Sequence, residues 1–186
     1  MKILGIIGGM SPESTATYYT EINRLVNQKK GGNISAPIVM VSVEFEEIVQ
    51  CQKQSEWQRA GEILAEAGKK LEMIGAEGIV LATNTMHKVA PQIERALSIP
   101  FLHILDATAD AIKSRGLNKV ALLGTKFTMS DNFYRDGLIV RGITPIVPNE
   151  SAQNEIHRII FDELCVGKFL PQSKAFYLDT IEFLRK

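Results

Sequence analysis

Polar side chains follow an apolar run in the segment VLATNTMHK, which extends from Val80 to Lys88. The run changes abruptly to Thr83, Asn84 and Thr85, with His87 close behind. Hydroxyl and carboxamide groups both donate and accept hydrogen bonds, and a histidine ring changes charge near neutral pH. A buried strand that ends here would present these groups together. Taken alone, they are equally consistent with turn formers or helix caps.

Two further apolar runs end in residues of the same kind. One ends in Gly8-Gly9-Met10-Ser11 and the other in Gly124-Thr125. In parallel sheets, backbone N–H groups are free where strands end and helices begin. The three segments together favour a small anion site made of backbone amides, hydroxyls and one carboxamide, which suits a carboxylate. The residues alone do not name a reaction.

Short apolar runs alternate with amphipathic helical stretches along the chain. Strands are predicted in KILGIIGG, PIVMVSV, GIVLAT, PFLHI, KVALLGT and ITPIVP. Such alternation is typical of parallel α/β folds, whose sheets are covered by helices. KILGIIGGMS also resembles KVALLGTKFTMS, since both combine a strand, a glycine turn and Met-Ser at a helix start. We therefore expect an α/β fold with two lobes, residues 1–105 and 106–186.

The helix boundaries follow from capping residues. Ser11 suits an N-cap and Pro12 a first helical residue, and Gly31-Gly32 should end this helix after Lys30. One uninterrupted helix is predicted from Ser130 to Arg141. Other N-caps are predicted at Ser55 (with Gln58), Asp106 and Ser151. The last helix, from Pro171, should bury a face made of Ala175, Leu178, Ile181 and Leu184. The sequence stops near the end of that helix, which indicates a fragment or a missing tail.

Composition argues against several classes of protein. The formal net charge of the 186 residues is zero, which argues against a nucleic-acid surface. No apolar run approaches the roughly 20 residues that span a membrane. The N-terminal MKILGIIGG is too short in its apolar part for a signal peptide, so we expect a cytoplasmic protein.

Other common sites are not supported by motifs. GIIGG lacks the full dinucleotide pattern, and no acidic residue ends the second strand. His87, His103 and His157 lack metal-motif spacing, so no metal is expected. Cys51 and Cys165 also lack it and are typical of unpaired thiols in a cytosolic protein.

Five motifs resemble the aspartate/glutamate racemase family, closest to its aspartate racemase and broad-specificity amino-acid racemase branch. They are GIIGGMSPEST, GAEGIVLATNTMHKVA, PFLHILDATADAI, VALLGT and IIFDELCVGKF. The resemblance runs from about Lys2 to the C-terminus. It implies a cofactor-independent enzyme that acts on a small amino acid. It also implies two pseudo-symmetric α/β lobes with the active site in the cleft between them, and a homodimer.

The resemblance implies a two-base mechanism. One cysteine removes the α-proton from one face of the substrate, and a second returns a proton to the other. Thr83 occupies the position of the first cysteine. The second belongs to a Gly-Cys-Thr-Glu motif that this sequence lacks, so we expect it beyond Lys186. Cys51 and Cys165 lie in neither motif.

Threonine at this position changes the expected chemistry. A thiol has an ordinary pKa of about 8.5, whereas a hydroxyl is a far weaker acid that needs a helper. Water or His87 would supply that help to Thr83. We therefore expect racemisation that is slow or biased in one direction.

The resemblance also implies the substrate contacts. Asn84, Thr85 and Thr125 would hold the α-carboxylate, and Met10 and Ser11 would line the opposing turn and offer backbone N–H groups.

Two further residues would contact the substrate side chain. Gln52 lies near a position where some members carry an arginine, so glutamine would favour broad specificity. Lys168 is a candidate for a distal carboxylate. Two alternatives stay open: a related isomerase of the hydantoin racemase or maleate isomerase type, and a non-catalytic protein that binds amino acids or dicarboxylates.

Overall fold

The computed structural model describes residues 1–185 of the chain. It divides into two compact units, of which the first is Met1–His103 and the second begins at Ile104. Within the described residues, no helix combines the length and apolar character needed to cross a bilayer.

The first unit is a parallel sheet with helices packed against it. Strand order in the sheet is β2 (Ile38–Ser42), β1 (Leu4–Gly8), β3 (Gly78–Leu81) and β4 (Phe101–Leu102), and every pairing is parallel. In chain order its elements are β1 (Leu4–Gly8), α1 (Pro12–Lys30), β2 (Ile38–Ser42), α2 (Phe45–Lys53), α3 (Trp57–Met73), β3 (Gly78–Leu81), a 3-10 helix (Thr85–Val89), α4 (Ala90–Ala96) and β4 (Phe101–Leu102).

The core of this unit forms between the sheet and α3. Ile7 and Ile79 on the strands are fully buried, as are Leu64 and Leu71 on α3, and all four belong to one cluster. The central strand β1 is buried on both sides, since the consecutive residues Ile6 and Ile7 are each fully buried, which explains its continuous apolar run. The predicted parallel α/β fold is confirmed.

The second unit contains a smaller sheet of two parallel strands, β5 (Lys119–Ala121) and β6 (Thr144–Ile146). Its core joins Leu105, Tyr134, Leu138 and Ile143. In chain order its elements are α5 (Ile104–Lys113), β5 (Lys119–Ala121), α6 (Lys126–Ser130), α7 (Asn132–Val140), β6 (Thr144–Ile146), α8 (Glu150–Asp162), a 3-10 turn (Leu164–Val166) and α9 (Pro171–Arg185).

Helix α1 has the predicted bounds. The Ser11 hydroxyl accepts a hydrogen bond from the Ser14 N–H, as an N-cap does. At the other end Gly31 adopts a φ of 78°, and its N–H donates to the Asn27 carbonyl. A positive φ is accessible to glycine at little cost, which explains why the helix ends here.

Three other predicted caps were wrong. Ser55 has a φ of 58° and α3 follows Glu56 instead. Asp106 lies inside the first turn of α5, which begins at Ile104. Ser151 lies inside α8, whose N-cap is Asn149, since the Asn149 side chain accepts from the Ala152 N–H.

Two helix predictions also need correction. The segment from Ser130 to Arg141 is not one helix, because Asp131 is extended with a ψ of 143° and separates α6 from α7. The predicted apolar face of α9 is largely exposed, with Leu178 at 56% and Ile181 at 45%. The buried residues of α9 are Ser173 and Thr180 instead.

Candidate functional site

The ends of β1 and β3 bring two of the predicted segments together. These neighbouring parallel strands are in register, with Ile7 opposite Leu81. The Ala82 N–H donates to the Ile7 carbonyl at 2.9 Å, which continues the pairing beyond β3. The turn Gly8-Gly9-Met10-Ser11 and the segment Thr83-Asn84-Thr85 therefore leave the same edge of the sheet.

A side-chain hydrogen bond stabilises this arrangement of the two strand ends. The Ser14 hydroxyl, in the first turn of α1, donates to the Ala82 carbonyl at 2.8 Å. It thereby connects the helix that follows β1 with the residue directly before Thr83. Sequence analysis missed Ser14. A hydroxyl three residues after the predicted N-cap is a signal for a role at the helix start, but its acceptor is 68 residues away.

The turn after β1 is held by Thr15, which sequence analysis also missed. The Thr15 hydroxyl accepts from the Gly9 N–H and donates to the Ser11 carbonyl, both at 2.8 Å. Gly9 has a φ of 96°, and a Cβ there would lie 2.4 Å from the Val43 carbonyl oxygen. Only glycine fits this position. Met10 and Ser11 are both buried in the resulting turn.

The three polar residues after β3 differ in exposure. Thr83 is half-buried, Asn84 is exposed and Thr85 is buried at the start of the 3-10 helix. The His87 N–H donates to the Asn84 carbonyl at 3.1 Å, which closes the turn. Asn84 is thus the residue of the three that solvent reaches most easily.

His87 lies beneath this segment, with 3% of its surface exposed. Its Nδ1 is 2.7 Å from the Thr83 carbonyl oxygen. Because a carbonyl only accepts, Nδ1 carries a proton. Burial, and then the neighbouring His103, lower the pKa of His87 to about 4. The ring is therefore neutral at physiological pH.

Gln52 lies on α2, which the sequence analysis did not predict. The side chain is 6% exposed, and its amide donates to the Met86 sulfur at 3.1 Å. Its Oε1 is buried without a hydrogen-bond partner in the described part of the chain. The structure thus places Gln52 beside the residue that follows Thr85, with one acceptor unused.

Thr125 and Lys168 belong to the second unit. Thr125 caps α6, its hydroxyl accepting from the Thr128 N–H at 3.3 Å. The next amide, of Lys126, donates to Nδ1 of His157 at 3.2 Å. Lys168 is exposed in the connection between α8 and α9.

The cysteines lie outside the strand-end segments. Neither forms a disulfide in the described part of the chain; Cys51 is buried on α2 and Cys165 is half-buried near the end of α8. Burial raises the pKa of Cys51, which keeps it a neutral thiol. Across residues 1–185, no group of three His, Cys, Asp or Glu side chains is placed to hold a metal ion.

Comparison with known proteins gives consistent relatives. The broad specificity amino-acid racemase RacX of Bacillus subtilis (strain 168) is 25% identical over 160 residues, which are 85% of this chain and 69% of RacX. The crystal structure of a candidate Asp/Glu racemase from Yersinia pestis is 48% identical with a TM-score of 0.90, and the match covers 100% of this chain and 81% of that one.

Two further solved structures are also similar. An aspartate racemase homologue from Pyrococcus horikoshii OT3 is 38% identical with a TM-score of 0.82, over 100% of this chain and 80% of that one. The Picrophilus torridus aspartate racemase, at 23% identity and a TM-score of 0.76, shares the fold over 100% of this chain and 77% of its own.

The family model described as Asp/Glu/Hydantoin racemase matches residues 7–186, which is nearly the whole sequence. The match includes both strand-end segments of the first unit and the Thr125 turn of the second. The resemblance found in the sequence is confirmed, and this chain belongs to the Asp/Glu/hydantoin racemase family.

Proposed function

We propose that this protein is an amino-acid racemase that exchanges the α-proton of its substrate without pyridoxal phosphate. Family membership supports a racemase. The observation that carries the proposal is the placement of Thr83 directly before Asn84 and Thr85, beside the turn that holds Met10 and Ser11. The hydrogen bond from Ser14 to Ala82 fixes this juxtaposition.

The substrate α-carboxylate would be held by hydrogen-bond donors. The Asn84 carboxamide is exposed, and the Thr85 hydroxyl lies at the start of the adjacent helix turn. In this proposal Met10 and Ser11 contribute backbone N–H groups, and Thr125 contributes from the second unit. Neutral donors suit a carboxylate because each charge-assisted hydrogen bond is stronger than a neutral one.

The proton transfers would be unequal on the two faces. A cysteine thiolate removes the α-proton on one face, and Thr83 returns a proton to the resulting carbanion on the other. Neither Cys51 nor Cys165 lies in a matching motif, so the proposal assigns this role to neither of them. A threonine hydroxyl releases a proton readily only if water or a side chain replaces it. Removal of a proton by Thr83 requires its alkoxide, which is scarce at neutral pH, so exchange of the α-proton on the Thr83 face is the slower of the two exchange reactions.

His87 is better suited to positioning than to proton transfer. Its pKa of about 4 makes it a weak base at neutral pH. Its Nδ1–H is already bonded to the Thr83 carbonyl. In this proposal His87 fixes the main chain of Thr83, and water is the helper of the hydroxyl.

Two residues would select the substrate side chain. The Gln52 Oε1 atom, which has no partner among the described residues, can only accept a hydrogen bond. A substrate carboxylate has no donor to offer it, so Gln52 favours amino acids beyond aspartate and glutamate. Lys168 carries a positive charge and favours a distal carboxylate. By family resemblance we also propose a homodimer that works in the cytoplasm.

Solvent-deuterium exchange tests the proposal. The full-length protein, without added pyridoxal phosphate, is incubated in D₂O with L-aspartate, L-glutamate or L-alanine, and deuterium at the α-carbon is followed by NMR. We expect deuterium to enter at least one of them. If an amino acid binds but none exchanges, the racemase proposal fails. A non-catalytic protein that binds amino acids is the second candidate function. Threonine at the cysteine position is the observation that favours it.

A further inference from the structure

A buried carboxylate lies at the end of α8. Glu163 is 5% exposed, and its side chain accepts from the Ser173 hydroxyl at 2.5 Å and from Nη2 of Arg158 at 2.9 Å. The Ser173 bond, followed by Arg158, lowers the pKa of Glu163. Because both donors are present, the charge is retained despite burial.

The main chain of the same residue organises the segment that follows. The Glu163 carbonyl accepts from the Val166 N–H at 3.1 Å and from the Lys168 N–H at 2.9 Å. Gly167 between them has a φ of 71°. We call residues 164–170 the Lys168 loop. Its first half therefore folds back onto the Glu163 carbonyl.

The far end of the loop returns to the Glu163 side chain. Helix α9 begins at Pro171, and Ser173 in its first turn donates to the carboxylate. Burial, and then the Glu163 charge, raise the pKa of Tyr177, one turn later, to about 12. Glu163 thus holds both the start of the Lys168 loop and the helix that follows it.

Lys168 itself is held only through this loop. The residue is exposed, as are its neighbours Gly167 and Phe169. Its ammonium group forms no ion pair with any residue from 1 to 185. A free lysine side chain loses about 2 kcal/mol of conformational entropy when it is fixed, so a rigid backbone beneath it limits the additional loss on binding.

We propose that Glu163 is a positioning residue that, together with Ser173, fixes the Lys168 loop so that the lysine receives the distal carboxylate of an acidic amino acid. The inference rests on the proposed function, in which Lys168 contacts that carboxylate. It adds that discrimination between acidic and neutral amino acids depends on two buried residues, neither of which contacts the substrate.

A double-variant cycle tests this inference by binding. Dissociation constants of L-aspartate and L-alanine are measured by calorimetry for the full-length protein and for Ser173→Ala, Lys168→Met and the double variant. Ser173→Ala should weaken L-aspartate about tenfold, as expected for the loss of one charge-assisted hydrogen bond. L-alanine should change less than about twofold. The double variant should bind L-aspartate no more weakly than Lys168→Met alone.

A matched control comes from the same unit. The Ser130 hydroxyl donates to the Gln153 side chain at 2.7 Å on the surface, so Ser130→Ala removes a similar bond and should leave both constants unchanged. If Ser173→Ala does not fold, Glu163→Gln, which keeps the side-chain size, replaces it in the same cycle with the same expectation.

Three results would overturn the inference: equal weakening of L-aspartate and L-alanine, additive losses in the double variant, or no binding of L-aspartate by the unaltered protein. Failure of the proposed function gives a different result. A protein that binds L-aspartate, shows the expected cycle and exchanges no α-deuterium is a binder with the positioning device intact.

Discussion

The Nδ1 atom of His87 lies 2.7 Å from the carbonyl oxygen of Thr83. A histidine four residues after a strand-end threonine thus turns back beneath it and holds its main chain. The ring is buried and its pKa is lowered to about 4, so the neutral form persists through the physiological range. The relationship gives His87 a defined structural role whether or not it also assists catalysis.

The first prediction concerns stability against acid. The pKa of His87 is about 4 in the folded protein and 6.5 ordinarily, so the unfolded chain binds the proton first as pH falls. The contribution of neutral His87 to the free energy of unfolding is fully present above about pH 6.5. It decreases by up to about 3 kcal/mol as the pH falls to about 4. Urea unfolding at several pH values in this window measures the change.

The control for this prediction uses His157, which is half-buried. His157 also has a lowered pKa, chiefly through burial, so it contributes to the same acid sensitivity. His87→Gln and His157→Gln should each flatten the dependence, and His87→Gln should flatten it more. If the free energy of unfolding of His87→Gln depends on pH as steeply as that of the unaltered protein, His87 is not the source of the acid sensitivity.

The second prediction concerns the bond between α1 and the end of β3. Ser14→Ala removes the donor to the Ala82 carbonyl and should lower the free energy of unfolding by about 1 kcal/mol. Thr17→Ala is the matched control, because the Thr17 hydroxyl donates only within its own helix, to the Glu13 carbonyl. Equal losses in the two variants, measured by urea unfolding, would show that the bond to Ala82 has no special contribution.

The third prediction concerns the turn after β1. Gly9→Ala should destabilise the protein by more than about 3 kcal/mol, because a Cβ would collide with the Val43 backbone as well as strain φ. Gly31→Ala shares the positive φ but meets no described atom within 4 Å, so it should cost only the backbone strain, about 1–2 kcal/mol. Thermal unfolding compares the two. Similar values would mean that the turn relaxes to accept a side chain.

The fourth prediction concerns the base at position 83. Thr83→Cys replaces a hydroxyl by a much stronger acid and should raise the slower direction of α-proton exchange by at least about tenfold. Thr83→Val keeps the shape and removes the hydroxyl, so it should abolish exchange on that face. Deuterium incorporation from the L- and D-enantiomers, measured separately, gives the ratio. An unchanged ratio in Thr83→Cys would remove residue 83 from the mechanism.

Local signals predicted α1 fully and failed elsewhere for a physical reason. At α1 a capping serine, a proline and a pair of glycines all agree. Near α8 both Asn149 and Ser151 are good caps, and only packing selects Asn149. Helix α2 is short and rich in glutamate, and it is stabilised chiefly by burying Ile48 and Val49 against the rest of the unit.

In the candidate site, too, local features could be predicted from the sequence and long-range contacts could not. Thr83, Asn84 and Thr85 could be placed at a strand end because the change from apolar to polar residues is local. The contacts of Ser14 with Ala82 and of Gln52 with Met86 join residues far apart in sequence. No periodicity or motif encodes such pairs, so they emerge only once the strands are aligned.

The central position of β1 has a consequence for how the site can open. Its residues pair with β2 along one side and with β3 along the other. Amide hydrogens of such a strand exchange with solvent chiefly when the whole unit unfolds. Because the turn from Gly8 to Ser11 continues directly from this strand, we expect disorder of the turn to be coupled to the opening of an interior strand of the sheet. The proposed carboxylate-binding edge should therefore keep its shape until the unit as a whole is lost.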